Sequence, residues 1–259
     1  PMSRPLLLGR RCRTRSSDVM AANRVIPVEA VIAQEKLPNS YRILIDTCWR
    51  PLAVTIAEWS KAAGRAIIVG VNGGQGSGKT TLCRFLEDCL LPEAGLRAVT
   101  VSLDDFYLPK TDRVALAKNI HPLLATRGTP GTHDVAGMMR ALAALSGGDE
   151  AMLPVFDKAI DDRAQQSAWR RVEGGADVIL FEGWCVGAMA QNEEALNNPV
   201  NMLERDEDKS GVWRRYVNGR LDADYKGLFA LIDHLIMLRA PGMGAILTNR
   251  LEQERKLRE

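Results

Sequence analysis

The octapeptide Gly73-Gly-Gln-Gly-Ser-Gly-Lys-Thr80 satisfies the spacing G-x-x-x-x-G-K-[ST] without exception. Glycines at Gly73, Gly74, Gly76 and Gly78, with Gln75 and Ser77 between them, let the backbone turn tightly and point successive N–H groups inward. The result is an anion-binding nest completed by a helix N-terminus. Lys79 would bridge the terminal phosphates of a nucleotide, and Thr80, followed by Thr81, would offer its hydroxyl to magnesium. Two acidic elements bear on what the nucleotide is for. Ser102-Leu-Asp-Asp-Phe-Tyr107 ends an apolar run with adjacent carboxylates, Asp104 and Asp105. One could accept a proton from an attacking hydroxyl, a role worth roughly 10² to 10⁴ in rate, while its neighbour holds a water or the metal. Val178-Ile-Leu-Phe-Glu-Gly183 places Glu182 where an acid completes a magnesium shell, usually through water.

These groups need a frame that brings strand ends together. Ala66-Ile-Ile-Val-Gly-Val71 precedes the glycine-rich loop as a β-branched run without polar alternation, which is how a strand buried on both faces reads. Ala98–Leu103, Asp177–Phe181 and His234–Leu238 are similar. Helical spacing marks Thr80–Leu91 and Val135–Leu145, the latter with Asp134 placed to cap it. Two further helical stretches, from Val28 to Leu37 and from Pro51 to Ala63, precede the first strand. Buried strands alternating with helices predict an α/β fold, a mostly parallel sheet flanked by helices in three layers. The ligand then belongs at the carboxyl ends of the strands. The polar stretch Gln191–Lys209 reads as a mobile connection.

Composition fits one globular domain: 259 residues, 46% hydrophobic and 25% charged. The formal charge of +2 divides unevenly, with an arginine-rich arm (1–24) at +5 and the remainder at −3. A mildly acidic domain argues against non-specific nucleic-acid binding. No run of about 18 apolar residues suggests a membrane span. Five cysteines without a C-x-x-C pair read as reduced thiols of a cytoplasmic protein. The arm reads as a disordered, mis-assigned or organelle-targeting extension, Met20 being a possible natural start. Residues 25–259 read as a single catalytic domain with a helical part at 25–64, and the oligomeric state is open.

Taken together, the P-loop, Ser102-Leu-Asp-Asp-Phe-Tyr-Leu108 and Phe181-Glu-Gly183 resemble the phosphoribulokinase and uridine kinase group of P-loop NTPase-fold small-molecule kinases. Within it, Arg127-Gly-Thr-Pro-Gly-Thr-His-Asp134, Leu153-Pro-Val-Phe-Asp-Lys158 and Phe181-Glu-Gly-Trp-Cys-Val-Gly187 are most similar to the D-glycerate 3-kinases of the plant and fungal type. The resemblance spans about residues 40 to 259. It implies transfer of the γ-phosphoryl group of ATP, with Mg2+, to the 3-hydroxyl of D-glycerate. It also implies Asp104 as general base, Lys79 and Glu182 as catalytic groups, and Thr80, Glu182 and Asp104 as metal ligands. The acceptor pocket would draw on Asp105, Tyr107, Phe156, Asp157 and Lys158. Arg127 and His133, with Asp134 beside them, are candidates for the glycerate carboxylate, because a small anion needs a fork of donors or a cation. A helical lid bearing arginines would exclude water, with Arg205, Arg214 and Arg215 as candidates. The family pattern commonly continues past Leu251–Glu254, and the glycine-rich stretch Arg239–Ala245 lies where this fold tends to hold adenine.

Other readings compete. Leu145-Ser-Gly-Gly148 matches the first letters of the ABC-ATPase signature, but Asp149 and Glu150 follow where a Gln and a basic helix belong. Pro109-Lys-Thr-Asp112 lacks the Asn of a guanine-reading element. A nucleotide-switched binding module, or a kinase for uridine, pantothenate or a sugar phosphate, remains as an alternative. A nucleoside acceptor would want stacking rings, and only 5% of the residues are aromatic.

Overall fold

A computed structural model describes residues 25–240 together with Gly242 and Gly244. The 1–24 arm, the Leu251–Glu254 segment and part of the Arg239–Ala245 stretch lie outside the described residues. Within them run eight strands: β1 (Ile67–Gly73), β2 (Ala98–Ser102), β3 (Ala151–Leu153), β4 (Phe156–Asp157), β5 (Asp162–Arg163), β6 (Arg170–Val172), β7 (Val178–Gly183) and β8 (His234–Leu238). Four of them form a parallel sheet in the order β2-β7-β1-β8. Every residue of β7 is buried, and so is every residue of β1 except Asn72.

Alternation along β1 shows why these runs carry no polar side. Ile67, Val69 and Val71 enter a core with Leu82, Phe85, Trp49 and Ile56, from the helices before and after the strand. Ile68 enters the opposite core with Val101, Phe106, Met138, Leu142, Phe181 and Tyr225. Covered on both faces, the central strands need apolar residues at every position, and three layers follow. The outer strand β8 differs. In β8, Leu235 and Met237 are exposed on one side, while His234 stacks on Trp59 with ring centroids 3.9 Å apart. Among the described residues β8 lies at the edge of the sheet, so its apolar run does not mark a strand buried on both faces.

Helices fall close to their expected positions, at Val28–Gln34, Arg50–Ala63 and Val135–Gly147. Asp134 caps the last of these, its Oδ1 accepting from the Gly137 N–H at 2.8 Å. The helix after the glycine-rich loop runs from Lys79 to Phe85, then through a π-helical turn at Leu86–Leu90. The sequence reading does not include the helix Lys110–Asn119 or the antiparallel pairs β3–β6 and β4–β5, whose strands of two or three residues are too short to show a period. Nor is Gln191–Lys209 a plain connection: it holds the helix Met202–Glu207 and a fully buried Asp208. Asp208 accepts from the N–H groups of Trp213 and Arg214, fastening the start of the helix Val212–Arg220. Among the described residues, no helix is long and apolar enough to cross a membrane.

Candidate active site

The glycine-rich loop leaves β1 at its carboxyl end and turns into the helix Lys79–Phe85. Gly78 has φ 89°, a backbone state that side chains with a Cβ resist. At Gly73 a Cβ would meet Ser77 Oγ at 2.6 Å and Leu238 O at 3.1 Å, so the loop closes only without one. Lys79 Nζ donates to Gly74 O at 3.1 Å, folded over the loop's own backbone. Ser77 Oγ is buried with no hydrogen-bond partner among the described residues.

Parallel register sets the acids beside this loop. Ser102 at the end of β2 lies opposite Glu182 near the end of β7. Glu182 Oε1 accepts from the Ser102 hydroxyl at 2.9 Å and from the Thr80 hydroxyl at 3.3 Å. Three elements thus converge on one buried carboxylate. Burial pushes the Glu182 pKa up, against the pull of the Ser102 hydrogen bond and of Lys79. A buried acid beside a hydroxyl is a set of hard oxygen donors, the kind magnesium takes.

Asp104 and Asp105 occupy the 3-10 turn Leu103–Phe106 just past β2, and their surroundings drive them apart. Burial raises Asp105, whose Oδ1 accepts from the Phe156 N–H at 3.3 Å. Burial acts on Asp104 in the same sense but is outweighed there. Lys158 Nζ donates to Asp104 Oδ2 at 3.0 Å and Tyr107 OH to Oδ1 at 2.9 Å, holding this carboxyl below the usual carboxylate range. Both oxygens of Asp104 therefore carry a donor, and direct metal ligation would displace one of them. Adjacent carboxylates tuned in opposite directions are what acid–base chemistry requires.

A cavity of about 760 Å³ joins the two halves. Gln75, Gly76, Lys79, Thr80 and Glu182 line one end, and Asp104, Asp105, Tyr107, Arg127 and Lys158 line another part. His133, Asp134, Phe156 and Asp157 do not line this cavity. His133 is 4% exposed and stacks on Tyr107 with ring centroids 4.6 Å apart, its Nδ1 lying 2.6 Å from Tyr225 OH. Burial pushes its pKa down to about 3, so it is neutral. This histidine backs Tyr107 rather than facing a ligand. Asp134 is engaged as the helix cap, and its Oδ2 meets Arg163 at 3.4 Å. Phe156 is buried with its ring edge-on to Tyr107, and exposed Asp157 accepts from the Ala159 N–H.

None of the three lid arginines lines the cavity. Arg214 is 8% exposed and fixed by Leu196 O and Asp208, Arg215 pairs with Glu193, and Arg205 pairs with its neighbour Asp206. Arg170 and Trp184 are among the lining residues that the sequence reading does not single out. Arg170 of β6 donates to Thr100 O and pairs with Glu87. Trp184, directly after the Glu182 strand, donates through Nε1 to Gly128 O at 3.0 Å. Trp184 stands in the quoted Phe181–Gly187 motif and could have been found there, whereas Arg170 is one of many surface arginines.

A glycine-rich phosphate loop, an acid ending the neighbouring strand and a carboxylate across one cavity define a P-loop phosphotransferase. No family model matches the chain. It is 36% identical over 230 residues to an uncharacterised kinase of Schizosaccharomyces pombe, mug58, covering 85% of this chain and 80% of that protein. It is 31% identical over 203 residues to the chloroplastic D-glycerate 3-kinase of Arabidopsis thaliana, covering 74% of this chain but 42% of that longer protein. The solved structure of the D-glycerate 3-kinase of Cryptococcus neoformans superposes with a TM-score of 0.68 at 27% identity, covering 80% of this chain and 77% of that one. The chain belongs to this glycerate 3-kinase-like family of P-loop kinases, ATP-dependent phosphotransferases with an alcohol group as acceptor.

Proposed function

We propose that the protein transfers the γ-phosphoryl group of ATP to the 3-hydroxyl of D-glycerate, giving 3-phosphoglycerate and ADP. The observation that carries this reading is one cavity lined both by the phosphate loop and by Asp104, Lys158 and Arg127. A carboxylate that takes up a proton sits there among cations suited to a small hydroxy acid. The names of the Arabidopsis and Cryptococcus relatives support the same acceptor.

In this reading the loop amides from Gly73 to Thr81 and the Lys79 ammonium hold the phosphates. Asp104, kept ionised by Lys158 and Tyr107, accepts the proton of the 3-hydroxyl as that oxygen bonds to the γ-phosphorus. The bond from the γ-phosphorus to the β–γ bridging oxygen breaks, and ADP leaves with the electron pair. Arg127 takes the glycerate carboxylate, and Asp105 fixes the backbone at Phe156. Thr80 and Glu182 are the groups that would hold magnesium, which when bound neutralises charge on the β- and γ-phosphates. His133 serves through Tyr107, whose hydroxyl it helps to aim. Residues 25–259 act as one catalytic domain, and the free thiols Cys48, Cys83, Cys89 and Cys185 fit a cytoplasmic setting.

The test is a panel of acceptors offered with Mg-ATP while ADP release is followed: D-glycerate, other hydroxy acids, uridine, pantothenate and sugar phosphates. D-glycerate should give the highest kcat/KM. A higher value for uridine or pantothenate would overturn the assignment.

A further inference from the structure

Behind the cavity wall lies an arginine that the proposed chemistry does not use. Arg113 on the helix Lys110–Asn119 is fully buried, an expensive place for a charge. Its guanidinium donates to Leu108 O at 3.2 Å, Ala125 O at 2.8 Å and Asp161 O at 2.6 Å, and meets Asp161 Oδ2 at 3.1 Å. These partners come from the segment after Asp104 and Asp105, the segment entering Arg127, and the turn joining β4 to β5. Asp161 stands in that turn with φ 55°, in the left-handed region that non-glycine residues rarely occupy. Its other carboxylate oxygen, Oδ1, accepts from Arg127 NH1.

Arg127 and Arg113 thus share one carboxylate. Both guanidiniums lie against the Phe156 ring, their central carbons 5.3 and 5.7 Å from its centroid. Among the described residues, neither forms an ion pair with a second acid. Lys158, the neighbouring cation of the wall, is paired with Asp104, and Arg170 with Glu87. Within this group two guanidiniums are matched by a single carboxylate, and Arg127 is the member that reaches the cavity. An arginine held along one edge by a carboxylate and across its face by a ring has few orientations left. Its remaining donors then face a ligand with little ordering cost.

We propose that Asp161, locked in its left-handed turn by Arg113, is a positioning residue that aims Arg127 at the carboxylate of the acceptor and so sets the preference for an anionic one. This rests on the reading of Arg127 given above. The test uses steady-state kinetics on the whole chain with Asp161→Asn, Asp161→Gly, Arg127→Met and the double variant Arg127→Met/Asp161→Gly. Both asparagine and glycine tolerate the left-handed backbone, so the turn is kept while the charge, or the whole side chain, is lost. Asp161→Gly should raise the KM for D-glycerate roughly tenfold, the scale of one charge-assisted contact, with kcat and the KM for ATP within about twofold. Asp161→Asn should lie between it and the parent.

In the Arg127→Met background, Asp161→Gly should add nothing, because the residue it positions is gone. The thermal midpoint should fall in every Asp161 variant, because buried Arg113 loses its carboxylate, but a role confined to folding would also change kcat and the ATP KM and persist in that background. Either that pattern or an unchanged glycerate KM in both Asp161 variants, with Arg127→Met still raising it, would overturn the inference alone. An unchanged glycerate KM in Arg127→Met would overturn the reading on which it rests.

Discussion

Asp104→Asn separates catalysis from architecture, because the two contributions of this side chain differ in size. Asparagine keeps the shape and still accepts from Tyr107 OH, now 2.9 Å away. What the fold loses is the ion pair with Lys158, whose side chain is 62% exposed. Pairs that solvent reaches so freely are worth about 0.2–1 kcal/mol. What the reaction loses is its proton acceptor, a factor of roughly 10² to 10⁴. At 1.36 kcal/mol per tenfold that is about 2.7–5.4 kcal/mol of barrier, several times the folding term. Turnover should therefore fall by roughly 10² or more while the thermal midpoint and the KM for ATP stay close to the parent's. Coupled ADP release, a nucleotide titration and a thermal melt measure the three quantities. A loss smaller than about tenfold would refute Asp104 as the base. A matching loss of nucleotide affinity would assign it to magnesium instead.

Other outcomes follow from the same geometry. Lys79→Ala should abolish ADP release, and near-normal turnover would remove the phosphate loop from the mechanism. Lys158→Met takes away the main influence opposing burial at Asp104, so the Asp104 pKa rises. The acid limb of the kcat/KM profile should then move to higher pH, and an unmoved limb would count against the pairing. His133 has its pKa pushed down to about 3 by burial. The unfolded chain, with an ordinary histidine near 6.5, binds the extra proton first as pH falls. The stabilising contribution is thus complete above about pH 6.5 and lost towards pH 3, with a slope of up to about 1.4 kcal/mol per pH unit. His133→Gln should flatten the stability profile between pH 4 and 6.5 in denaturant melts, and parallel profiles for the two proteins would contradict the buried neutral state.

Much of the catalytic end was legible because its signals are local. The phosphate loop needs its glycines, lysine and threonine within eight consecutive positions, and the two-sided burial of β1 and β7 writes itself as apolar runs. The acceptor side was harder to read. His133 and Asp134 were candidates for the substrate on type alone, yet one is buried against Tyr107 and the other caps a helix, and side-chain chemistry cannot tell these uses apart. The lid arginines show the same limit: Arg214 on a polar helix resembles a solvated or catalytic cation, and only the buried Asp208 beside it shows an anchor.

The amino-acid sequence by itself therefore determined the class of chemistry and the three-layer frame, since short-range spacing and hydrophobic period are properties of neighbouring residues. Tertiary structure alone decided which polar groups face the cavity. Lys158 meets Asp104 across 54 positions of sequence and Arg127 meets Asp161 across 34. Electrostatic partnership acts through space, over a few ångströms, and no pattern in the order of residues encodes it until the chain has folded.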